Sequence, residues 1–364
     1  MAAVPTDLVI ESDVPLAPFT TLAIGGPARW MTRASSVPEL RRALEWADDR
    51  EAGVLLLGGG SNMLVADAGF PGLVIRIDLR GIEIHPEDGY SRLVAAAGEP
   101  WDPLVARIVE QELAGFECLA GIPGLVGATP IQNVGAYDQE VSETIVEVEA
   151  LDRSDGSLVR ISNHDCRFRY RDSRFKSEER DRFIILAVHY RLDPGGAPAV
   201  RYPDLARRLE EQRPGTTLAS VRDAVLAARR SKGMVIDPAD PDSRSAGSFF
   251  TNPVVDRSVY EELVEKERSS GRIGADERVP AFEASGDRVK LSAAWLIERS
   301  GFQRGMIQGR VGLSSKHTLA IINRGGGTAG EVIHLVGLIR RGVLDRFGIL
   351  LVPEPNLIGL TLEE

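Results

Sequence analysis

Hydrophobic positions recur along this chain with two periods, one of about three and a half residues and one of two. Within the first eighty residues the two alternate. Ser36-Val37-Pro38-Glu39 has the form of a capping box opening a helix whose apolar face carries Leu40, Leu44 and Ala47. VLLLG (54–58) predicts a short buried strand running into GGGSNMLVAD, and LVIRID (73–78) predicts a second. A further helix is expected from Asp102-Pro103, with Asp102 as N-cap and proline in the first position, ending at Gly115.

The middle of the chain is richer in strand. IVEVEAL (145–151) alternates, RSDG (153–156) turns and SLVRI (157–161) returns, which predicts a hairpin. FIILAVHYRL (183–192) predicts a long strand, DPGGAPA (193–199) a loop, and Tyr202-Pro203 extended chain. Helices are expected over 218–231, where Val221, Val225 and Ala228 share a face, over 290–301, and from Ala329 to Phe347 with Gly348 as the stop. No internal repeat or low-complexity tract interrupts the pattern. The expected fold class is α+β, in regions 1–80, 81–225 and 230–347, with the tail 348–364 returning to the middle region.

Length supports this division, since 364 residues exceed one ordinary core. Apolar residues make up 43%, a globular proportion. A net charge of −10 leaves no basic excess to neutralise nucleic-acid or membrane phosphates, so neither partner is expected. Cys118 and Cys166 form no CxxC and have no histidine at ligand spacing, which argues against a metal or disulfide framework and for a reducing compartment. The N-terminal stretch MAAVPTDLVIESDVP lacks a basic n-region and a long apolar run, and no segment approaches twenty apolar residues. A cytoplasmic protein is expected.

Two glycine-rich stretches carry the candidate chemistry. GGGSNMLVAD (58–67) follows a strand, yet no Gly-Lys-Ser/Thr follows it and no GxGxxG opens a helix, so it is neither a P-loop nor a dinucleotide fingerprint. Standing alone it reads as a tight strand-to-strand turn sooner than as a phosphate cradle. GIPGLVGATPIQNVGAYDQEV (121–141) sets Gly121, Gly124, Gly127 and Gly135 in one loop, where Pro123 and Pro130 forbid a continuous helix. Backbone N–H groups without helical acceptors can turn onto a pyrophosphate, although a structural Ω-loop has the same composition.

Together with YRDSRFK (170–176), SAGSFFTNP (245–253) and PEP (353–355), these stretches occur in the order and spacing of one family. From about Phe19 onward the chain resembles the UDP-N-acetylenolpyruvoylglucosamine reductases, in the form with a substrate-covering tyrosine loop. The resemblance implies two subdomains clasping FAD in the vanillyl-alcohol-oxidase manner, 1–80 and 81–225, and a substrate-binding domain over 230–347. It places Gly58, Gly59, Gly60, Ser61 and Asn62 along the cofactor. From the second loop it adds Gly121, Ile122, Pro123, Gly124, Gly127, Ala128, Gln132, Asn133, Gly135, Ala136 and Tyr137. Neither loop contains His or Cys, so the implied FAD is non-covalent. NADPH as reductant, a UDP-sugar enolpyruvyl ether as substrate and a monomeric state are likewise implied.

The implied reaction adds hydride to a vinyl carbon and leaves negative charge beside a carboxylate, which calls for a charge-stabilising group and a proton donor. By resemblance, Arg171 and Glu354 stabilise that charge and Ser248 delivers the proton. A guanidinium suits a carboxylate, and a glutamate held near one is expected to have a raised pKa. A nucleophilic serine is disfavoured, because AGSFF lacks the GxSxG elbow and no histidine is marked as its base. Tyr202, Lys232, Asn252, Lys290 and His317 are the implied substrate contacts. Two rivals remain at this level, a flavin oxidase of the same superfamily and a non-catalytic sugar-nucleotide binder.

Overall fold

The computed structural model describes residues 8–210, 215–274 and 276–362, so MAAVPTD of the N-terminal stretch and Glu363-Glu364 of the tail lie outside the described residues. Two compact units form. One takes the chain up to Phe19, Pro27–Gly60 and Gly69–Ile236, and the other takes Thr20–Gly26, Ser61–Ala68 and the chain from Asp237 onward.

The first unit contains two sheets. In the smaller, the strand Phe70–Ile77 lies between Pro27–Ala34 and Val54–Leu57, parallel to both, and Glu11–Pro15 closes the far edge antiparallel to Pro27–Ala34. Leu73, Val74 and Ile75 are all fully buried, which is why LVI shows no alternation: a central parallel strand is covered on both faces. The helix Val37–Asp48 makes the crossover to Val54–Leu57. Its start differs from a full capping box. Ser36 accepts from the Glu39 N–H, but the Glu39 carboxylate reaches one residue further back, to the N–H and hydroxyl of Ser35.

The larger sheet is antiparallel throughout, in the order Leu158–Ser162, Ile145–Asp152, Phe183–Pro194, Tyr90–Ala96 and Ile82–Glu87. Residue 80 thus falls in the gap between two sheets of one unit. Behind the larger sheet, Trp101, Phe116 and Tyr190 pack as a buried aromatic triad with ring centroids 4.8, 4.9 and 6.2 Å apart. The Tyr190 hydroxyl meets Thr129 Oγ1 at 3.0 Å, which fastens the second glycine-rich loop to this core.

Several local expectations are corrected here. The helix expected at Asp102 spans Trp101–Glu110 with Pro100 before it, and Asp102 is not its cap; the carboxylate accepts the Gly121 N–H at 2.6 Å instead. Tyr202-Pro203 is not extended chain but the start of the helix Pro203–Glu210, since a proline at the first position loses only an N–H with no helical acceptor. The helix Leu218–Arg230 runs through residue 225, so no boundary falls there. The 290–301 helix is shorter, Ala293–Arg299, because Lys290 and Leu291 belong to a strand.

The second unit has one sheet ordered Ser245–Ser248, Ala320–Asn323, Val311–Leu313, Ile307–Gln308, and another ordered Val254–Asp256, Arg288–Leu291, Ala281–Ala284. The helix Ala329–Phe347 ends at Gly348 in the left-handed conformation. The tail groups with the second unit and not with the unit that holds residues 81–225. Asn356–Ile358 pairs in parallel with Met63–Val65, whose fully apolar, buried side chains need a covering partner. Among the described residues no helix is long and apolar enough to cross a membrane.

Asp67, the last residue of GGGSNMLVAD, secures the long helix: its carboxylate accepts the Ala329 and Gly330 N–H groups at 2.8 and 3.0 Å. An anion on these N–H groups also complements the helix dipole. Asp67→Ala is expected to lower unfolding stability by about 1–2 kcal/mol in urea titration, an effect that Asp67→Asn should largely avoid. Equal stability of all three proteins would show the contact to be neutral.

Candidate active site

In the first unit the two glycine-rich stretches meet. A Cβ at residue 59 would lie 2.8 Å from the Gly124 Cα, a contact only glycine permits, and one at residue 58 would already touch Leu125. The N–H groups of Gly59, Gly60, Ile122 and Gly124 donate to no acceptor within the described residues. Unspent donors on closely packed backbone form a cradle for an anion. The loop is less irregular than its prolines suggest. Val126–Ala128 forms a 3-10 turn and Thr129–Gln132 a short helix with Pro130 in its first turn, which together carry Gly127, Ala128 and Gln132.

Beyond this helix the backbone turns left-handed at Asn133, and Gly135-Ala136 pairs with Gln139-Glu140 around Tyr137-Asp138. Both turn residues have positive φ, 50° and 64°, as a two-residue hairpin turn of this hand demands, although neither is glycine. The hairpin aims the Tyr137 ring edge-to-face at Tyr202, with centroids 5.6 Å apart. Burial raises the pKa of both phenols, opposed at Tyr137 by Arg229 and reinforced at Tyr202 by Asp204.

Arg171 also adopts positive φ, 54°, at the tip of a turn where Arg169 and Asp172 exchange backbone hydrogen bonds of 2.9 and 3.1 Å. Its guanidinium donates to the carbonyls of Gly135, at 2.5 Å, and Asn133, at 3.4 Å, and Lys176 Nζ holds the Arg171 carbonyl. A Cβ on Gly135 would come within 3.1 Å of Arg171 Nη1. The nearer obstacles are the Gln139 carbonyl at 2.9 Å and Glu140 Cγ at 2.8 Å, so glycine at 135 is called for chiefly by the paired strand opposite it.

Lys232 follows the helix Leu218–Arg230. Its side chain is exposed by area, yet the surrounding chain removes enough water to lower the amine pKa, with Asp204 opposing. One helical turn back, Arg229 donates to the Met234 carbonyl while its Nε makes no hydrogen bond among the described residues, and its charge acts on both Tyr137 and Lys232. Arg229 escaped the sequence pattern, whose only signal was its i, i+3 spacing from Lys232.

In the second unit SAGSFFTNP is a bulged strand. Ser245 and Ser248 both pair with Ala320–Asn323, but their register shifts, and Gly247 at φ 74° makes the bulge with open space where a Cβ would be. Here conformation, not close approach, calls for glycine. Phe249 and Phe250 are both buried, and the backbone from Phe249 to Thr251 pairs with Val352–Glu354: the Glu354 N–H donates to the Phe249 carbonyl at 2.9 Å, and the Thr251 N–H to Val352 at 3.1 Å. Ser248 and Glu354 thus lie on adjoining segments, and the Ser248 hydroxyl, half-buried, makes no hydrogen bond within the described residues. Asn62 joins this group through its Nδ2, 3.4 Å from the Glu354 carbonyl.

Asn252 is partly committed elsewhere, its Oδ1 accepting the Ala293 N–H at the start of a helix. Lys290 lies on the strand Arg288–Leu291 above the Phe282 ring, and His317 is half-buried in the turn after Ser314.

Residues 29–162 match the FAD binding domain family, and residues 238–358 match the family described as UDP-N-acetylenolpyruvoylglucosamine reductase, C-terminal domain. The UDP-N-acetylenolpyruvoylglucosamine reductase of Saccharopolyspora erythraea is 48% identical over 353 residues, covering 95% of each protein. This chain belongs to the UDP-N-acetylenolpyruvoylglucosamine reductase family. The reductase of Thermobifida fusca is 47% identical over 96% of this chain and 98% of its own. The crystal structure of the reductase from Thermus caldophilus superposes with a TM-score of 0.64 at 25% identity, covering 96% of this chain and 98% of that one. Both sheets of the first unit and the C-terminal unit therefore follow the reductase architecture, which combines an FAD binding domain with the reductase C-terminal domain.

Cys118, just before the second loop, donates to the Ala199 carbonyl at 3.0 Å, and burial pushes its thiol up to about 12, as it does that of Cys166. A raised acid pKa means that the folded state favours the protonated form. The associated stability is complete below the ordinary thiol value of about 8.5 and is lost as pH rises towards 12. At pH 8 a disulfide reagent is expected to label neither cysteine in the native protein and both after denaturation. Rapid labelling of the native chain would contradict this.

Proposed function

We propose that this chain reduces the enolpyruvyl group of UDP-N-acetyl-3-(1-carboxyvinyl)glucosamine to UDP-N-acetylmuramate with NADPH, as a cytoplasmic monomer in peptidoglycan precursor synthesis. The observation that carries the reading is the Ser248 hydroxyl, uncommitted within the described residues and set beside Glu354 in a chain of this family.

The residues of the first unit fit non-covalent FAD. Gly59 and Gly124 bring two loops into backbone contact, and the four unspent N–H groups suit a pyrophosphate. The protonated thiol of Cys118 is not a nucleophile for covalent attachment. When bound, FAD supplies the relay of hydride from NADPH to the terminal vinyl carbon of the substrate.

The protein's own residues do the rest. Hydride addition leaves negative charge on the carbon beside the substrate carboxylate. The Arg171 guanidinium, which cannot lose its proton, and Glu354 stabilise that charge as it spreads onto the carboxylate. Ser248 then transfers its hydroxyl proton to the same carbon. A serine is a weak acid, but the enolate-like carbon is a strong base, so the transfer is downhill over hydrogen-bond distance. Lys232 and Tyr202, with Arg229 beside them, bind the diphosphate. Asn252, Lys290 and His317 contact the rest of the substrate.

Because both reactants use the same hydride relay in turn, steady-state kinetics should be ping-pong. In rapid mixing, Ser248→Ala is expected to leave flavin reduction by NADPH within about threefold of wild type and to slow reoxidation by the enolpyruvyl substrate by about a thousandfold or more. Equal reoxidation rates would remove Ser248 as the donor, and a colourless protein that takes up no FAD would overturn the proposal as a whole. Gly59→Ala should weaken FAD binding at least about tenfold, read by flavin fluorescence, because its Cβ separates the two loops.

A further inference from the structure

Asn133 lies in the cofactor loop by position, but its side chain is committed inside the protein. It is 1% exposed and left-handed, with φ 45°. Its Nδ2 donates to Glu140 Oε2 at 2.7 Å and to the Arg169 carbonyl at 3.0 Å, while its Oδ1 accepts the Ser142 N–H at 3.2 Å. Both amide donors are therefore used. The same residue's carbonyl receives Arg171 Nη1, next to the Gly135 carbonyl that receives Nη2. One residue thus holds the backbone two positions before Arg171 and also the guanidinium at the end of its side chain.

We infer that Asn133 is a positioning residue for Arg171: its amide clasps the Arg169–Asp172 turn to the hairpin 135–140, and its left-handed backbone turns a carbonyl onto the guanidinium. The inference rests on the proposed role of Arg171. A left-handed arginine at a turn tip has an unfavourable backbone that something must hold in place. The Arg169 carbonyl is the point at which the clasp does so. If the amide is lost, the turn and the guanidinium are free to shift separately. A misplacement of about 1 Å in a charge-stabilising group slows a reaction by roughly a hundredfold. Both of its amide donors are used within the chain, so neither is left for the cofactor.

Asn133→Gly removes the clasp and still permits positive φ. Asn133→Asp keeps the shape but sets an acceptor against the Glu140 carboxylate and the Arg169 carbonyl, and it serves if the glycine variant does not fold. In the FAD-loaded enzyme, either variant is expected to keep FAD affinity and reduction by NADPH within about threefold, while reoxidation by the enolpyruvyl substrate slows by about tenfold or more. In an Arg171→Ala background the same substitution should slow reoxidation by less than about twofold, because its effect passes through Arg171. A tenfold loss of FAD affinity, equal slowing of both half-reactions, or full slowing in the Arg171→Ala background would overturn the inference. A crystal structure of the Asn133→Gly holoenzyme gives an answer that does not depend on the reaction. The guanidinium should leave the Gly135 carbonyl, and its staying there would overturn the inference even if the wild-type enzyme proved inactive on this substrate. Failure of the wild type to be reoxidised by the enolpyruvyl compound would instead count against the proposed function.

Discussion

The first unit depends on one close approach of backbone to backbone, Gly59 against Gly124. Everything that prepares this unit for an anion follows from it. The parallel strand Val54–Leu57 delivers the first loop, and the aromatic triad behind the larger sheet anchors the second through Tyr190 and Thr129. Asp102, near the start of its helix, takes the Gly121 N–H and fixes where the second loop begins. A methyl group at residue 59 would separate the two loops that carry the four donors.

The second unit holds the Ser248 segment tightly. It does so with the backbone. Gly247 absorbs a bulge, two successive phenylalanines enter the core, and the segment carrying Glu354 pairs alongside. In a regular strand neighbouring side chains point to opposite faces, so burying both Phe249 and Phe250 requires the alternation to be broken. Ser248 is held by the residues on either side of it, and its own hydroxyl is left uncommitted within the described residues.

Much of this was legible in the sequence, and the limits have physical causes. The helix Val37–Asp48 announced itself by its opening cap and apolar period, Leu218–Arg230 by its apolar face and Ala329–Phe347 by its glycine stop. The helix at Pro203 was misread because the same proline suits an extended dipeptide and a first helical turn. Asp102 was misread because a carboxylate before a helix has no mark that separates an N-cap from a loop anchor. The family motifs identified Arg171, Ser248 and Glu354 by position. They could not show Asn133 gripping residues up to 38 positions away, nor the positive φ of Asn133, Tyr137 and Arg171, because non-glycine residues give no local sign of that conformation.

The pairing of Met63–Val65 with Asn356–Ile358 bears on biosynthesis. Asn62 and Glu354 are 292 residues apart, and Asp67 caps a helix that begins at Ala329. A growing chain exposes Met63, Leu64 and Val65 early, long before the ribosome has made the strand and helix that cover them. At roughly 5–20 residues per second, this apolar segment waits on the order of tens of seconds for its partners. The first unit, whose segments all precede residue 237, can close during that interval, whereas the second can be completed only once Asn356–Ile358 has been made.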